Sequence, residues 1–353
     1  MADIMDIVDP LELTGFVRGL VDAAYSGTGT LAQYLPNQFR NALDYEFNLA
    51  TRDRPEVARY RAFDAESGLS SRPGFSKVTG SIPPLSEKML LSEADRTRLN
   101  LAFASGDTKS RYLRDLVFND AERLVNRVLA RVELARGSVL STGTVTFTSE
   151  ENLLTTVNYN DGASAIITNT ASPLWITANV ATATPIADMR NWMQAYADAN
   201  LDDMPVVGLT SRATINNAMA TTEVKNFFAL NGTSPSLITG GMFEQLMSVY
   251  GVPPLMEFRT QVNINGVATR ILPVNKIVWL PASDVEAFGE TMFGIGSEAL
   301  DLVEMAGLPV ETAPGLTGRT WKTIDPPQNW TRVGGLVLPV LKDPKRIMVS
   351  TVS

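Results

Sequence analysis

Residues 108–137 read TKSRYLRDLVFNDAERLVNRVLARVELARG. Leu113, Leu116, Val117, Ala121, Leu124, Val125, Val128, Val132 and Ala135 recur there at spacings of three and four, which places them on one face of a helix. Arg114, Glu122, Arg123, Arg127, Arg131 and Arg136 mostly fall off that stripe. Gly106-Asp107-Thr108 supplies N-cap residues and Gly137 a stop. About 30 residues at 1.5 Å each make a rod of roughly 45 Å. That rod is expected to be the main structural beam of its domain. Its arginines alternate with Asp115, Asp120, Glu122 and Glu133, so the outer face reads as solvated or intersubunit.

Upstream of the helix, residues 45–92 form the strangest segment. Two extended limbs, about Tyr45–Glu66 and Ser76–Leu90, flank a tip of turn residues, Ser67-Gly68-Leu69-Ser70-Ser71-Arg72-Pro73-Gly74. Within it Val57, Arg59, Arg61 and Phe63 alternate with Ala58, Tyr60 and Ala62, as on the two faces of a strand. Fully extended, even the shorter limb reaches roughly 50 Å. A two-stranded ribbon is marginal in water without a partner surface. The segment therefore reads either as an arm lying on another subunit or as a long hairpin packed on its own domain. Residues 1–35, with Ile4, Ile7, Val8, Leu11, Phe16, Val17 and Leu20 divided by Pro10, read as a loose arm of short helical pieces, too broken for a core helix.

Downstream, Thr142–Thr148 alternates as a strand, and Leu153–Asn158 and Ala165–Thr168 flank Asn160-Asp161-Gly162, a hairpin signal. Helical periods follow at Ile186–Ala199, Arg212–Ala220 and Gly241–Tyr250. Strand-like pieces lie at Val206–Leu209, Leu255–Arg259, Gln261–Ile264, Thr269–Leu272, Ile277–Leu280, Arg332–Val340 and Arg346–Val352. The fold class is α+β, and 353 residues suit about two domains.

Composition removes whole classes of chemistry. The chain has no Cys and no His, which excludes disulfides, thiol nucleophiles, a His base, a Ser-His-Asp triad and Cys/His metal sites. A net charge of −8 argues against tight nucleic-acid binding. The negative charge concentrates in 181–317, which reads as a solvated acidic face. The start carries Asp3, Asp6, Asp9 and Glu12 where a signal peptide would be basic and then apolar. The longest uncharged stretch, Gly162–Ala187, is rich in Thr and holds two prolines, so it reads as strand and loop and not as a membrane span.

No motif supplies an active site. Asn158-Tyr159-Asn160-Asp161-Gly162 begins like a calcium loop, but the loop's first position is Val157 and its twelfth is Thr168. Glu150-Glu151 and Asp202-Asp203 are sequence neighbours, which seldom converge on one substrate atom. Gly315-Leu316-Thr317-Gly318-Arg319-Thr320 lacks the Lys of a phosphate loop and reads as a turn. The expectation is no catalytic, cofactor-binding or metal-binding residue and no enzyme activity. A carboxylate-dependent hydrolase is a distant third reading.

The order of loose arm, ribbon, long helix, α+β domain and returning β tail resembles the lambda-type major capsid protein E family of tailed bacteriophages. The local resemblance is closest at Pro327-Gln328-Asn329-Trp330, the apolar strand through Gly334–Leu341, and Asp343-Pro344 with its short apolar end. The resemblance implies a Hong Kong 97-type shell fold. Residues 1–44 would be the N-arm and 45–92 the E-loop. Residues 93–180 with 318–353 would be the peripheral domain, with its spine helix at 108–137, and 181–317 the axial domain. It further implies hexamers and pentamers of an icosahedral virion capsid that encloses double-stranded DNA without sequence-specific binding. Assembly would take place in the host cytoplasm with a separate scaffolding protein, a portal at one vertex and, in some shells, a cement protein. An encapsulin-type nanocompartment is the alternative on the same fold. The expected intersubunit contacts are Arg52, Arg54, Arg59, Arg61, Arg72, Phe75 and Lys77. Some relatives of this fold join an E-loop Lys to a neighbour's Asn. Here Lys77 would be the donor and Asn329 a conceivable acceptor, but the surrounding arginines suit charge-assisted hydrogen bonds better, and no crosslink is expected.

Overall fold

The computed structural model describes residues 8–25, 30–48, 57–58, 60–64, 66, 77–102, 106–150, 153–160, 165–229, 235, 237–282, 288–325 and 327–353. The chain divides into two compact units. The first comprises Met1–Tyr45, Thr79–Arg136 and Glu290–Val340; the second comprises Glu46–Val78, Gly137–Gly289 and Leu341–Ser353. This packing cuts the chain elsewhere than the expected domain boundaries. Residues 290–317 belong with the spine-helix core, and 137–180 and 341–353 belong with the other unit.

The first unit is built around strand Gln328–Leu341. Strands Thr317–Thr323 and Pro84–Leu91 pair with it, both antiparallel, and Gly289–Gly294 and Asn37–Phe39 extend the same sheet. Two helices share its apolar cluster. Leu13, Val17 and Val21 come from helix Pro10–Tyr25; Val117, Leu124, Val128 and Val132 come from helix Gly106–Thr142; Phe293, Val333 and Val337 come from the sheet. The expectation of a loose N-terminal arm is thus corrected, because residues 10–25 are a core helix. Pro10 stands at the helix start, where its missing N–H costs nothing, and the Asp9 carboxylate accepts from Leu11 N at 2.9 Å. Gly318 lets this helix close on the sheet: a Cβ there would lie 2.9 Å from Leu13 Cγ. The stretch read as a turn, 315–320, therefore contributes the start of the edge strand Thr317–Thr323.

The long helix runs further than its sequence signals, to Thr142. Gly137 is no stop. A Cβ there would meet Ile271 at 2.3 Å (Cγ2) and 2.6 Å (carbonyl oxygen), so glycine serves close approach. The terminator is Gly143, at φ +69°, with the Asn160 side chain donating to Thr142 O at 2.8 Å.

In the second unit the sheet runs 167–170, 348–351, 276–280, 207–210, 255–257. The middle strand, Lys276–Leu280, is antiparallel to both neighbours, and both outer pairings are parallel. Trp175, Trp192, Tyr196, Phe243 and Trp279 fill its core; the Trp175 and Trp192 rings stack at 5.6 Å. The hairpin expected across 160–162 is not how these strands pair. Leu153–Asn158 pairs back with Thr144–Glu150, and Ile167–Thr170 lies parallel to the C-terminal strand Met348–Thr351. The sequence signal was local, and the winning contact spans some 180 residues. Helices Glu93–Ala102 and Ser297–Ala306 and strand Gly289–Gly294 carry no clear sequence signal.

Candidate assembly surfaces

The expected ribbon resolves into two parts with different partners. Its second limb is not free: Pro84–Leu91 is a strand of the first unit's sheet, with Leu85 and Met89 turned to the core and Glu87 paired with Arg127 at 2.7 Å. This half packs on its own unit, but as a strand paired with Gln328–Leu341 and not as a limb of a long hairpin. Nearer the tip, Asp44–Asn48 and Lys77–Ser81 form a short separate pair. Tyr45 is buried at its base, and its ring crosses Gly80, where a Cβ would sit 2.5 Å from the hydroxyl. Ser81 donates to Asp44 at 2.7 Å, and burial raises the Tyr45 pKa.

Beyond that root, residues 57–58 and 60–64 form no strand. Val57, Tyr60 and Phe63 are 91%, 107% and 101% exposed. Among the described residues, these three large apolar side chains on one short stretch meet no cover. Of the expected contact residues, Arg61 lies on this exposed stretch and Lys77 pairs across the root with Glu46 at 2.6 Å. Arg52, Arg54, Arg59, Arg72 and Phe75 lie outside the described residues. Asn329 is buried within its strand, at 5% exposure, out of a neighbour's reach.

A second bare surface was missed in the sequence. Helix Ser297–Ala306 buries Ala299, Leu302 and Val303, and with Ala313 and Ile295 it makes a small core of its own. Met305, off that stripe, is 79% exposed, and Leu308 and Val310 after the helix are about half exposed. Leu300 and Met305 fall outside the stripe that Ala299, Leu302 and Val303 bury, a division that only the seating of the helix reveals. Arg18 fixes this knob to the N-terminal helix, donating to the carbonyls of Thr312 (2.6 Å), Ala313 (2.9 Å) and Leu316 (3.3 Å). Burial lowers the Arg18 pKa.

The interior beside the long helix is closed to partners. Arg136 is fully buried and donates to Glu133 (2.5 Å), Asn37 (2.5 Å) and Thr291 (2.8 Å), while Glu133 accepts from Leu31 N at 3.0 Å. Among the described residues no three acidic side chains converge to hold a metal, and no helix is long and apolar enough to cross a membrane.

The comparisons agree with this architecture. A family model described as phage major capsid protein E matches residues 49–352. No curated protein matches the chain. Among solved structures, a protein assigned as a prophage capsid protein of E. coli CFT073 superposes with a TM-score of 0.55 at 14% identity, covering 79% of this chain and 80% of that one. A phage-related protein of Bordetella bronchiseptica RB50 superposes at 0.53 and 12% identity, covering 97% and 96%. Identities this low carry the fold alone, and that fold is the Hong Kong 97-type shell fold.

Proposed function

Because the chain belongs to the phage major capsid protein E family, we propose that it is the repeating wall subunit of an icosahedral shell, associating into hexamers and pentamers around packaged double-stranded DNA. The family is one of phage capsid subunits, which favours a virion wall over a bacterial nanocompartment. The observation that carries the assembly mechanism is the exposure of Val57, Tyr60 and Phe63 to solvent. Burying a large apolar side chain is worth about 1.5–3 kcal/mol, and a closed lattice repeats each such contact in every subunit. Arms that cross between subunits add interface area without enlarging the core.

On this reading the unit holding the long helix serves as the peripheral domain, with boundaries near 290 and 340, and the unit centred on Lys276–Leu280 serves as the axial domain. The subunit has no catalytic role. Assembly takes place in the host cytoplasm on a separate scaffolding protein, with a portal at one vertex and room for a cement protein outside. The acidic total suits a wall that does not grip DNA. Lys77 held by Glu46, with Asn329 buried, supports a shell without covalent links.

The test is electron microscopy of the chain produced with its scaffolding protein. Closed shells are expected, and discrete monomers would overturn the reading. Boiled shells should run on a denaturing gel as one band near 38.3 kDa; a ladder lost in Lys77→Ala would show a crosslink after all.

A further inference from the structure

Beyond the shell reading, we propose that a groove in the second unit is the docking site for an extended segment of a separate polypeptide, one that carries an acidic residue, an apolar centre and a basic residue in line. The groove consists of two adjoining cavities of 460 and 500 Å³, and Met204 and Gly251 line both. Gly251 follows helix Gly240–Val249 at φ +68°; a Cβ there would meet nothing within 4 Å, which leaves the passage between the cavities open at that point. Met204 and Val206 are about half exposed in the groove, and Pro205, Pro253 and Pro254 complete an apolar wall that lacks N–H groups of its own. This wall is tied to the sheet before any partner arrives: Val206 N donates to Leu280 O at 2.9 Å, and Gly208 N to Pro254 O at 3.0 Å. A preformed wall lowers the entropy lost on binding.

The charges define the ligand. Arg190, on helix Pro185–Ala199, lines the first cavity and forms no ion pair among the described residues. Its guanidinium lies over the Tyr250 ring at 5.3 Å, and the Phe227 ring packs on Tyr250 at 5.1 Å, so the cation is held in place without being neutralised. Glu244, on helix Gly240–Val249, lines the second cavity and meets no cation among the described residues. One uncompensated cation and one uncompensated anion therefore stand on either side of the shared Met204 and Gly251. A small ligand in either cavity would meet one of them alone. An extended segment spanning both meets both, with its carboxylate on Arg190, its cation on Glu244 and its apolar side chains on Met204, Val206 and the prolines. Arg190 suits the carboxylate end, because a guanidinium can pair it bidentately. Met204 suits the centre, because its unbranched, polarizable side chain adapts to an irregular partner.

The test is fluorescence anisotropy on the unassembled chain with three labelled, end-blocked hexapeptides: Glu-Leu-Pro-Val-Leu-Lys, the same peptide with Glu at both ends, and the same peptide with Lys at both ends. The mixed peptide should bind wild type about fivefold or more tightly than either like-charged one, since each of those sets one repelling end against the groove. Arg190→Glu should move the preference to the peptide with two Lys, and Glu244→Lys to the peptide with two Glu. Both side chains are exposed, so thermal unfolding of the variants should match wild type; if a variant does not fold, the ranking on wild type decides alone. Three peptides bound alike, no peptide bound, or an unchanged ranking in folded variants would overturn the proposal. So would a chain that is dimeric in solution and becomes monomeric in Arg190→Glu without binding any peptide, since a second copy would then fill the groove. None of these outcomes bears on shell formation, which electron microscopy reads separately.

Discussion

The end of the long helix and the arm at 57–63 both place arginine beside apolar residues, yet they end in opposite states. Around Arg136 every guanidinium nitrogen has a partner, and the flanking Val132, Val139 and Leu140 are buried. Around Arg61 the apolar neighbours Tyr60 and Phe63 stand fully in solvent. The first region is complete within one chain, and its residues answer to folding. The second is bare among the described residues, and on the shell reading its residues answer to association. On that reading, burial in the single chain is expected to separate residues whose loss unfolds the subunit from residues whose loss leaves it folded and unassembled.

The comparison breaks most visibly at Arg136. Arg136→Ala strands Glu133 without its cation in the interior, and breaking a buried pair this way costs about 3–5 kcal/mol. Urea denaturation of the soluble chain should show that loss; a cost below about 1 kcal/mol would mean that Arg136 and Glu133 do not form the buried pair. Gly137→Ala, one residue on, should cost about 1–3 kcal/mol by forcing a methyl group into Ile271, despite alanine's better helix propensity. A stabilised Gly137→Ala chain would show that the helix and Ile271 are not in contact.

What the sequence made legible follows the same division. The helix stripe from Leu113 to Ala135 was readable because nine apolar residues keep one period, and that stripe buries much as it reads. Gly137 misled because a glycine that ends a helix and a glycine that admits a neighbour look alike, and only Ile271, more than 130 residues away, decides between them. The N-terminal helix was hidden by Pro10, which breaks a helix in its interior and starts one at its end. At the assembly surfaces the arm showed in its composition and turn-rich tip. The knob did not, because exposure of Met305 and Leu308 follows from how helix Ser297–Ala306 seats on its small core.

A smaller effect sharpens the comparison on the folded side. In the second unit Glu223 caps helix Pro185–Ala199, accepting from Ile186 N (2.8 Å) and Ala187 N (3.2 Å), and Asp188 accepts from Trp175 Nε1 (2.8 Å). Burial raises both carboxyl pKa values above the ordinary 4.5 and 3.8; the hydrogen bonds oppose the shift in part, and Asp188 adds to it at Glu223. The native state therefore holds these protons more tightly than the unfolded chain. Their contribution to stability grows as pH falls through the raised native values toward the ordinary ones, and it is lost as pH rises again. Relative to Glu223→Gln with Asp188→Asn, the wild-type urea midpoint should gain as pH falls from neutrality toward the ordinary carboxylate range. A relative gain on going alkaline would reverse the sign and contradict the burial.

The central claim, that the arm belongs to assembly and not to the fold, is tested most directly by one chain measured two ways. Val57→Ser, Tyr60→Ser and Phe63→Ser combined remove the exposed apolar surface and touch nothing in either core. Thermal unfolding of the unassembled variant should match wild type, since exposed substitutions stay within about 0.5 kcal/mol, while closed shells counted by electron microscopy should nearly vanish. A clear fall in the unfolding temperature, or shells formed in wild-type yield, would contradict the account.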